Sequence, residues 1–302
     1  MTRTAFLFTL LALPLLACQS APPPAEAPKS DVAANPLTGR TGVKVEPGQT
    51  VLAKPLRVGA SKIPHAELIK AVMPELAAIG VTIDLKTYED YGLPNMDVAK
   101  GNLDANFFQT EPYLWRWRAA HGEPLVVVGR VHIEPMGLYS KKLTKADLAG
   151  LKPGLTVAVP GDAANLGRAL FVLQRAGLIT LDPLRGLDAG VEDIKVNAHA
   201  LKILPLADSR QLRSMAADLV VLNGNLALED KLDPSQALAI EDGSSPFPNV
   251  VVTRQESATD SRVLALVKAL RGPTAQKLLK EKYGGLAIPA VESPSAAALQ
   301  EK

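Results

Sequence analysis

Seven of the thirteen aromatic residues fall between Tyr88 and Trp117: Tyr88, Tyr91, Phe107, Phe108, Tyr113, Trp115 and Trp117. Rings gathered on that scale either wall an apolar ligand or fill a core, and their positions decide which. Tyr91 follows one apolar strand, Phe108 ends the next and Tyr113 opens a helix, so these three are expected at the carboxyl edge of one sheet, where open α/β sheets take ligands. Phe107 and the two tryptophans read as core. Further along, Gly161-Asp162-Ala163-Ala164-Asn165-Leu166-Gly167-Arg168 lies at a strand-to-helix turn. Free N–H groups at that helix start favour an anion, and Asn165 and Arg168, three residues apart, can converge on one carboxylate. The glycines and lysine of a phosphate loop are absent. Asn223-Gly224-Asn225 follows a continuous apolar strand; its amides can offer oxygens to an ammonium and NH2 groups to a carboxylate, and turn chemistry accounts for Asn-Gly equally well.

The four histidines, His65, His121, His132 and His199, are spread out, without the spacing of a helical metal pair. His132 and Glu134 would share a face of a strand; a metal reading of them is weaker than that of a satisfied structural histidine, and no metal or cofactor is expected. No serine lies in a nucleophile elbow, so no catalytic residue is expected either.

These residues need elements to hold them. From Leu56 the chain alternates short apolar strands with amphipathic helices, the pattern of α/β units on largely parallel sheets. Strands are expected at Leu56–Ala60, Val81–Leu85 and Asp104–Phe108. A helix from about Pro64 carries an apolar stripe of Leu68, Ile69, Val72, Met73 and Leu76, interrupted by Pro74 and ended by Gly80. Thr110 is placed to cap a helix running through Trp117. Between Leu125 and Tyr139, two apolar runs, Leu125–Val128 and Met136–Tyr139, flank polar residues. A second series follows: strand Leu155–Val159, a helix from Asp162 to Ala176-Gly177, strands at Ile194–Val196, Lys202–Leu204 and Asp218–Leu222, a returning strand at Asn249–Thr253, and helices Ser261–Leu270 and Thr274–Tyr283. The expected fold is therefore α/β with two lobes, a hinge of two crossing strands and an interlobe cleft. Residues 54–143 with 245–289 form lobe I, 144–244 form lobe II, and 290–302 make a loose tail.

At 302 residues and 47% hydrophobic the chain can bury a core in each lobe. A net charge of +2 with scattered Lys and Arg gives no footprint for nucleic acid. Arg3 and the short apolar stretch Ala5–Ala17 read as an export signal, residues 1–17, too short to span a bilayer. It ends in Leu15-Leu16-Ala17-Cys18, which resembles a bacterial lipobox. Lipidation of Cys18, the sole cysteine, would anchor the protein to a membrane and leave no thiol for disulfides. Residues 18–53, rich in Ala, Pro, Gly and Thr and without aromatics, read as a disordered tether.

Asp104-Ala105-Asn106-Phe107-Phe108-Gln109, His132-Ile133-Glu134-Pro135-Met136-Gly137-Leu138-Tyr139-Ser140 and Asn165–Leu170 resemble, in that order, segments of the NlpA lipoprotein family, the methionine-binding lipoproteins of bacterial ABC importers. The resemblance runs from about Leu56 to Tyr283. It implies a periplasmic-binding-protein fold that captures methionine and delivers it to a membrane permease with a cytoplasmic ATPase; a monomer is expected. It also implies roles: Tyr91, Phe108 and Tyr113 for the side chain, Asn165 and Arg168 for the carboxylate, Asn223 for the polar end. Thr110 and Asn225 complete the expected site. The sequence departs from the family at Thr110, where a histidine is common, at Leu226 in place of an aromatic, and at Gly161 in place of a polar residue. Ligand identity is what these changes touch, since a related apolar amino acid or short peptide would suit a reshaped pocket. An envelope protein or adhesin without a transport role is the alternative from another class.

Overall fold

The computed structural model describes residues 54–290 except Met215; the expected signal, Cys18, the tether and residues 291–302 of the tail lie outside them. In chain order the elements are β1 (Leu56–Ser61), α1 (Glu67–Ala78), β2 (Ile83–Tyr88), α2 (Leu93–Ala99), β3 (Ala105–Thr110), α3 (Glu111–His121) and β4 (Leu125–Ile133). Next come β5 (Gly137–Tyr139), β6 (Thr156–Pro160), α4 (Ala163–Arg175), β7 (Thr180–Leu181), β8 (Ile194–Val196), β9 (Lys202–Leu206), β10 (Leu219–Leu222), α5 (Gly224–Glu229) and β11 (Ala239–Ile240). The chain closes with β12 (Pro248–Arg254), α6 (Ser261–Leu270), α7 (Pro273–Tyr283) and β13 (Ile288–Pro289).

Two sheets result. The first has the order β13-β4-β12-β3-β1-β2 and the second β11-β5-β10-β6-β9, with β7 and β8 pairing as a separate ribbon. In the first, β1, β2 and β3 run parallel and β12 lies antiparallel between β3 and β4. In the second, β6, β9 and β10 run parallel, with β5 antiparallel to β10. Each parallel set is covered by helices, so its inner strands are apolar on both faces. Val58, Ala60 and Phe107 pack with Leu68, Val72 and Leu266 in lobe I. Val157, Val159 and Val221 pack with Leu170 and Leu173 in lobe II. Burying such a side chain contributes about 1.5–3 kcal/mol.

The chain passes between the sheets twice, through residues 134–136 and 241–247. Sheet membership therefore changes ahead of residue 143, because Gly137–Tyr139 pairs with β10 in the second sheet. Several expectations are corrected locally. The polar stretch between the two apolar runs near residue 130 does not end a strand: β4 continues for nine residues because β12 pairs with it along its whole length. The second strand lies later, at Ile83–Tyr88, where it pairs with β1 in register. The first helix begins at Glu67, after a separate turn at Lys62–Ala66, and runs through Pro74 to Ala78. Thr110 occupies the cap position of α3, but its side chain makes no capping hydrogen bond. Gly80 and Gly177 follow α1 and α4 with φ of +80° and +74°, the left-handed turn that an L side chain adopts only with strain.

Candidate functional site

The carboxyl ends of parallel strands from both sheets converge on one cleft. β3 delivers Phe108, Gln109 and Thr110, and α3 delivers Tyr113. From the second sheet, α4 after β6 brings Asn165 and Arg168, and the turn after β10 brings Asn223, Gly224 and Asn225. Tyr91, Glu134 and Asn249 complete the lining. All eight residues singled out from the sequence, Tyr91, Phe108, Thr110, Tyr113, Asn165, Arg168, Asn223 and Asn225, thus border the same cavity. The cavity among them, counted with its mouth, is about 360 Å³.

One wall is aromatic. Tyr91, Phe108 and Tyr113 meet pairwise with ring centroids 5.9–6.2 Å apart, two of the three pairs edge-to-face. Behind this wall lies a buried amide ladder. Asn95 Nδ2 donates to Gln109 Oε1 at 2.8 Å, and Gln109 Nε2 donates to Asn95 Oδ1 at 2.6 Å and to Asn106 Oδ1 at 2.9 Å. Tyr91 also closes the cleft, donating its hydroxyl to Asn225 Oδ1 at 2.9 Å across the lobes. On the outer rim Arg116 reaches Asp188 and the carbonyl of Leu187.

The opposite wall is polar, and its hydrogen bonds correct part of the sequence reading. The start of α4 already holds an anion: Asp162 caps it, accepting from Asn165 N at 3.0 Å and from Asn165 Nδ2. Asn165 Oδ1 accepts from Asn223 Nδ2 at 2.9 Å, so the amide of Asn165 is satisfied at both ends. That leaves Asn223 Oδ1, buried, without a partner in the protein. A buried acceptor without a donor is costly, and here it borders the cavity.

Arg168 is only 2% exposed and is not a solvated charge. Its Nε and Nη2 donate to Glu241 at 2.5–3.1 Å, and Nη2 also donates to the carbonyl of Glu134 at 2.7 Å. Its guanidinium carbon stands 4.4 Å from the centre of the Phe247 ring. Glu241 is further bound by Met136 N and Ser245 Oγ. Arg168 thus holds both crossings, at Glu134 and at Glu241, besides bordering the cleft.

Glu134 is the residue the sequence reading left among structural groups. Its carboxylate is 95% buried and faces two imidazoles: His132 Nε2 lies 2.7 Å and His65 Nε2 lies 3.2 Å from the same oxygen, Oε1. The backbone N–H of Asn225 also supports it. Burial pushes the carboxyl of Glu134 above its ordinary value, and His65, Arg168 and that N–H pull against it. Burial lowers His65 to about 4 and His132 to about 3, so both rings are neutral at pH 7. The signal for Glu134 was its spacing from His132, which does place both on one side of the chain. Gly224 belongs here too: a Cβ on it would come within 2.6 Å of the Glu134 Cβ, so glycine lets α5 start against that residue.

Two imidazole nitrogens and a carboxylate oxygen within 4.8 Å are also a donor set for a divalent cation. Tautomers argue for the hydrogen-bonded arrangement instead. His65 Nε2 lies between Asn249 Oδ1 and Glu134 Oε1, two acceptors, and therefore carries the proton, while Nδ1 accepts from Ser61 Oγ. Metal ligation through His132 Nε2 would move its proton to Nδ1, a buried atom with no partner.

Two α/β lobes, two crossings and a closed cleft between strand ends define a two-lobed periplasmic substrate-binding protein. The comparisons agree. The family model described as NlpA lipoprotein matches residues 56–291, and the chain belongs to that family. It is 34% identical over 246 residues to the methionine-binding lipoprotein MetQ of Bacillus subtilis, covering 79% of this chain and 89% of that one. It is 36% identical over 213 residues to the D-methionine-binding lipoprotein MetQ of Escherichia coli K12, covering 69% and 78%. Among solved structures, a nutrient-binding protein of Burkholderia cenocepacia bound to methionine superposes with a TM-score of 0.74 at 34% identity, covering 78% of this chain and 100% of that one. An ABC-transporter periplasmic substrate-binding protein of Coxiella burnetii gives 0.73 at 39%, covering 78% and 100%. Membership of a lipoprotein family implies a membrane-anchored, extracytoplasmic protein; among the described residues no helix is long and apolar enough to cross a membrane.

Proposed function

We propose that the chain is an extracytoplasmic receptor that captures free methionine in this cleft and passes it to an ABC permease driven by a cytoplasmic ATPase. It performs no chemistry on its ligand and is held to the membrane through lipid on Cys18. The observation that carries the reading is the unpartnered Asn223 Oδ1 beside the Glu134 carboxylate, facing three aromatic rings. Two acceptors on one side call for an ammonium. Rings on the other suit a thioether, at roughly 0.3–1.5 kcal/mol per sulfur–aromatic contact. Arg168, with two nitrogens engaged by Glu241 and Glu134, has Nη1 left for the ligand's carboxylate. A space this narrow favours a single amino acid over a peptide.

Titration calorimetry of ligand-stripped, full-length protein tests the reading, with L-methionine, D-methionine and leucine as separate arms. Saturable binding of either methionine enantiomer, well ahead of leucine, is expected. No methionine heat at millimolar concentration rejects the ligand, and a preference for leucine reassigns the aromatic wall.

A further inference from the structure

His132 makes one side-chain hydrogen bond, to Glu134 Oε1, and its other ring nitrogen is buried without a partner. It sits with His65 and Phe107 at the base of the cleft, ring centroids 5.0 and 5.4 Å away, and is 0% exposed. Leucine or phenylalanine there would bury no polar atom, so packing does not explain an imidazole. What the imidazole provides is an N–H aimed at one carboxylate oxygen. His65, 67 residues earlier in the chain, brings its Nε2 to 3.2 Å from that same oxygen while its N–H is shared with Asn249 Oδ1 at 3.1 Å, and its Nδ1 is held by Ser61 Oγ.

We propose that His65 and His132 form an imidazole clamp on Oε1 of Glu134, positioning residues that aim the other carboxylate oxygen at the ammonium of the bound amino acid. The clamp rests on the reading of the cleft as an amino-acid site. A carboxylate held by neutral imidazoles, with Arg168 acting on it only from beyond hydrogen-bond contact, keeps more of its charge for the ligand. A guanidinium or lysine partner would cancel it, as Arg168 does for Glu241. The orphaned Nδ1 of His132 fits this: with the proton on Nε2, that atom is a bare lone pair, cheaper to bury than an unpaired N–H. The titratable groups facing Glu134 are His65, His132, Arg168, Tyr91 and, more remotely, Tyr283. Among these only the two imidazoles contact Oε1.

The test compares L-methionine with 4-(methylthio)butanoate, which keeps the thioether and carboxylate and lacks the amine, on the full-length protein. The wild type should prefer methionine by about thirtyfold or more, the scale of a hydrogen bond between charged groups. His132→Leu removes the donor and should cut that preference at least about tenfold, with the affinity for the des-amino compound shifting less than about threefold. His132→Gln retains an N–H and should keep most of the preference. An unchanged preference in His132→Leu overturns the clamp. A wild type that binds neither compound, or both equally, overturns instead the reading of the cleft. A ligand-free measurement separates the two: in ¹³C-glutamate NMR, His132→Leu should raise the titration midpoint of Glu134 by about one pH unit or more, and an unmoved midpoint sinks the clamp whatever the ligand. Should His132→Leu fail to fold, His65→Leu against His65→Gln gives the same comparison from the other ring.

Discussion

The two crossings each carry a buried carboxylate, and the two are used in opposite ways. Glu241 is consumed within the protein: a guanidinium, a backbone N–H and a hydroxyl take its oxygens, and its charge is cancelled where it stands. Glu134 has only neutral donors on its carboxylate and borders the cavity. A buried ion pair that is complete serves the hinge; a buried anion left uncancelled is a request for a cation. Neither burial nor residue type tells the two apart, since both side chains are under a tenth exposed. Their partners do.

The sharpest way to break this contrast is to neutralise each in turn. Glu134→Gln should weaken methionine binding by about a hundredfold or more, since truncating one side of a buried charge pair costs about 2–5 kcal/mol, while denaturant unfolding of the ligand-free protein stays near wild type. Arg168→Ala should do the reverse in kind. It strands Glu241, and stability should fall by about 3–5 kcal/mol, so any loss of affinity in that variant mixes two effects. The double variant Arg168→Met with Glu241→Met, read by the same denaturant midpoint, should recover most of the stability. If it does not, the pair has a further role in the hinge.

On the ring-bearing side, Phe108→Ala should reduce methionine affinity by roughly tenfold, measured by calorimetry, with a smaller effect on a ligand lacking sulfur. The histidines predict a pH dependence. Their folded values, about 4 for His65 and about 3 for His132, lie below the unfolded value of 6.5. Stability is therefore full above about pH 6.5 and lost as pH falls toward 4, by at most about 1.4 kcal/mol per pH unit for each ring. The raised carboxyl of Glu134 works in the opposite direction and moderates the loss. Denaturant midpoints at pH 7 and pH 5 should show the decline, and His132→Gln should flatten it. Smallest of all, Arg116→Ala should change affinity less than about threefold, because Asp188 is three-quarters exposed and solvent screens the contact.

Much of this cleft was legible in the chain itself. Tyr91, Phe108 and Tyr113 announce themselves by following strand ends, and the α/β alternation fixes which ends those are. Asn165 and Arg168 were readable as two residues of one helix that border the cleft. What the sequence does not carry is the identity of partners brought in from far away: Glu241 lies 73 residues beyond Arg168, and His65 lies 69 before Glu134. At the start of α4 the sequence reading passed over a local partner, Asp162, which caps the helix and accepts from Asn165 N. Strand ends near residue 130 misled for a related reason. A polar Arg130 inside an apolar strand looks like a break until Glu111 is found bonded to it from α3.

The ladder of Asn95, Asn106 and Gln109 behind the rings has a consequence for how such a receptor changes its diet. The floor under the aromatic shelf is held by amides of its own lobe, without help from Glu134, Arg168 or Asn223. Side chains on that shelf can be exchanged for larger, smaller or more polar ones while the grip on the amino-acid head stays as it was. Redirecting this protein to another nutrient is then a matter of recutting one surface of lobe I, with the hinge and the head-group contacts carried over intact.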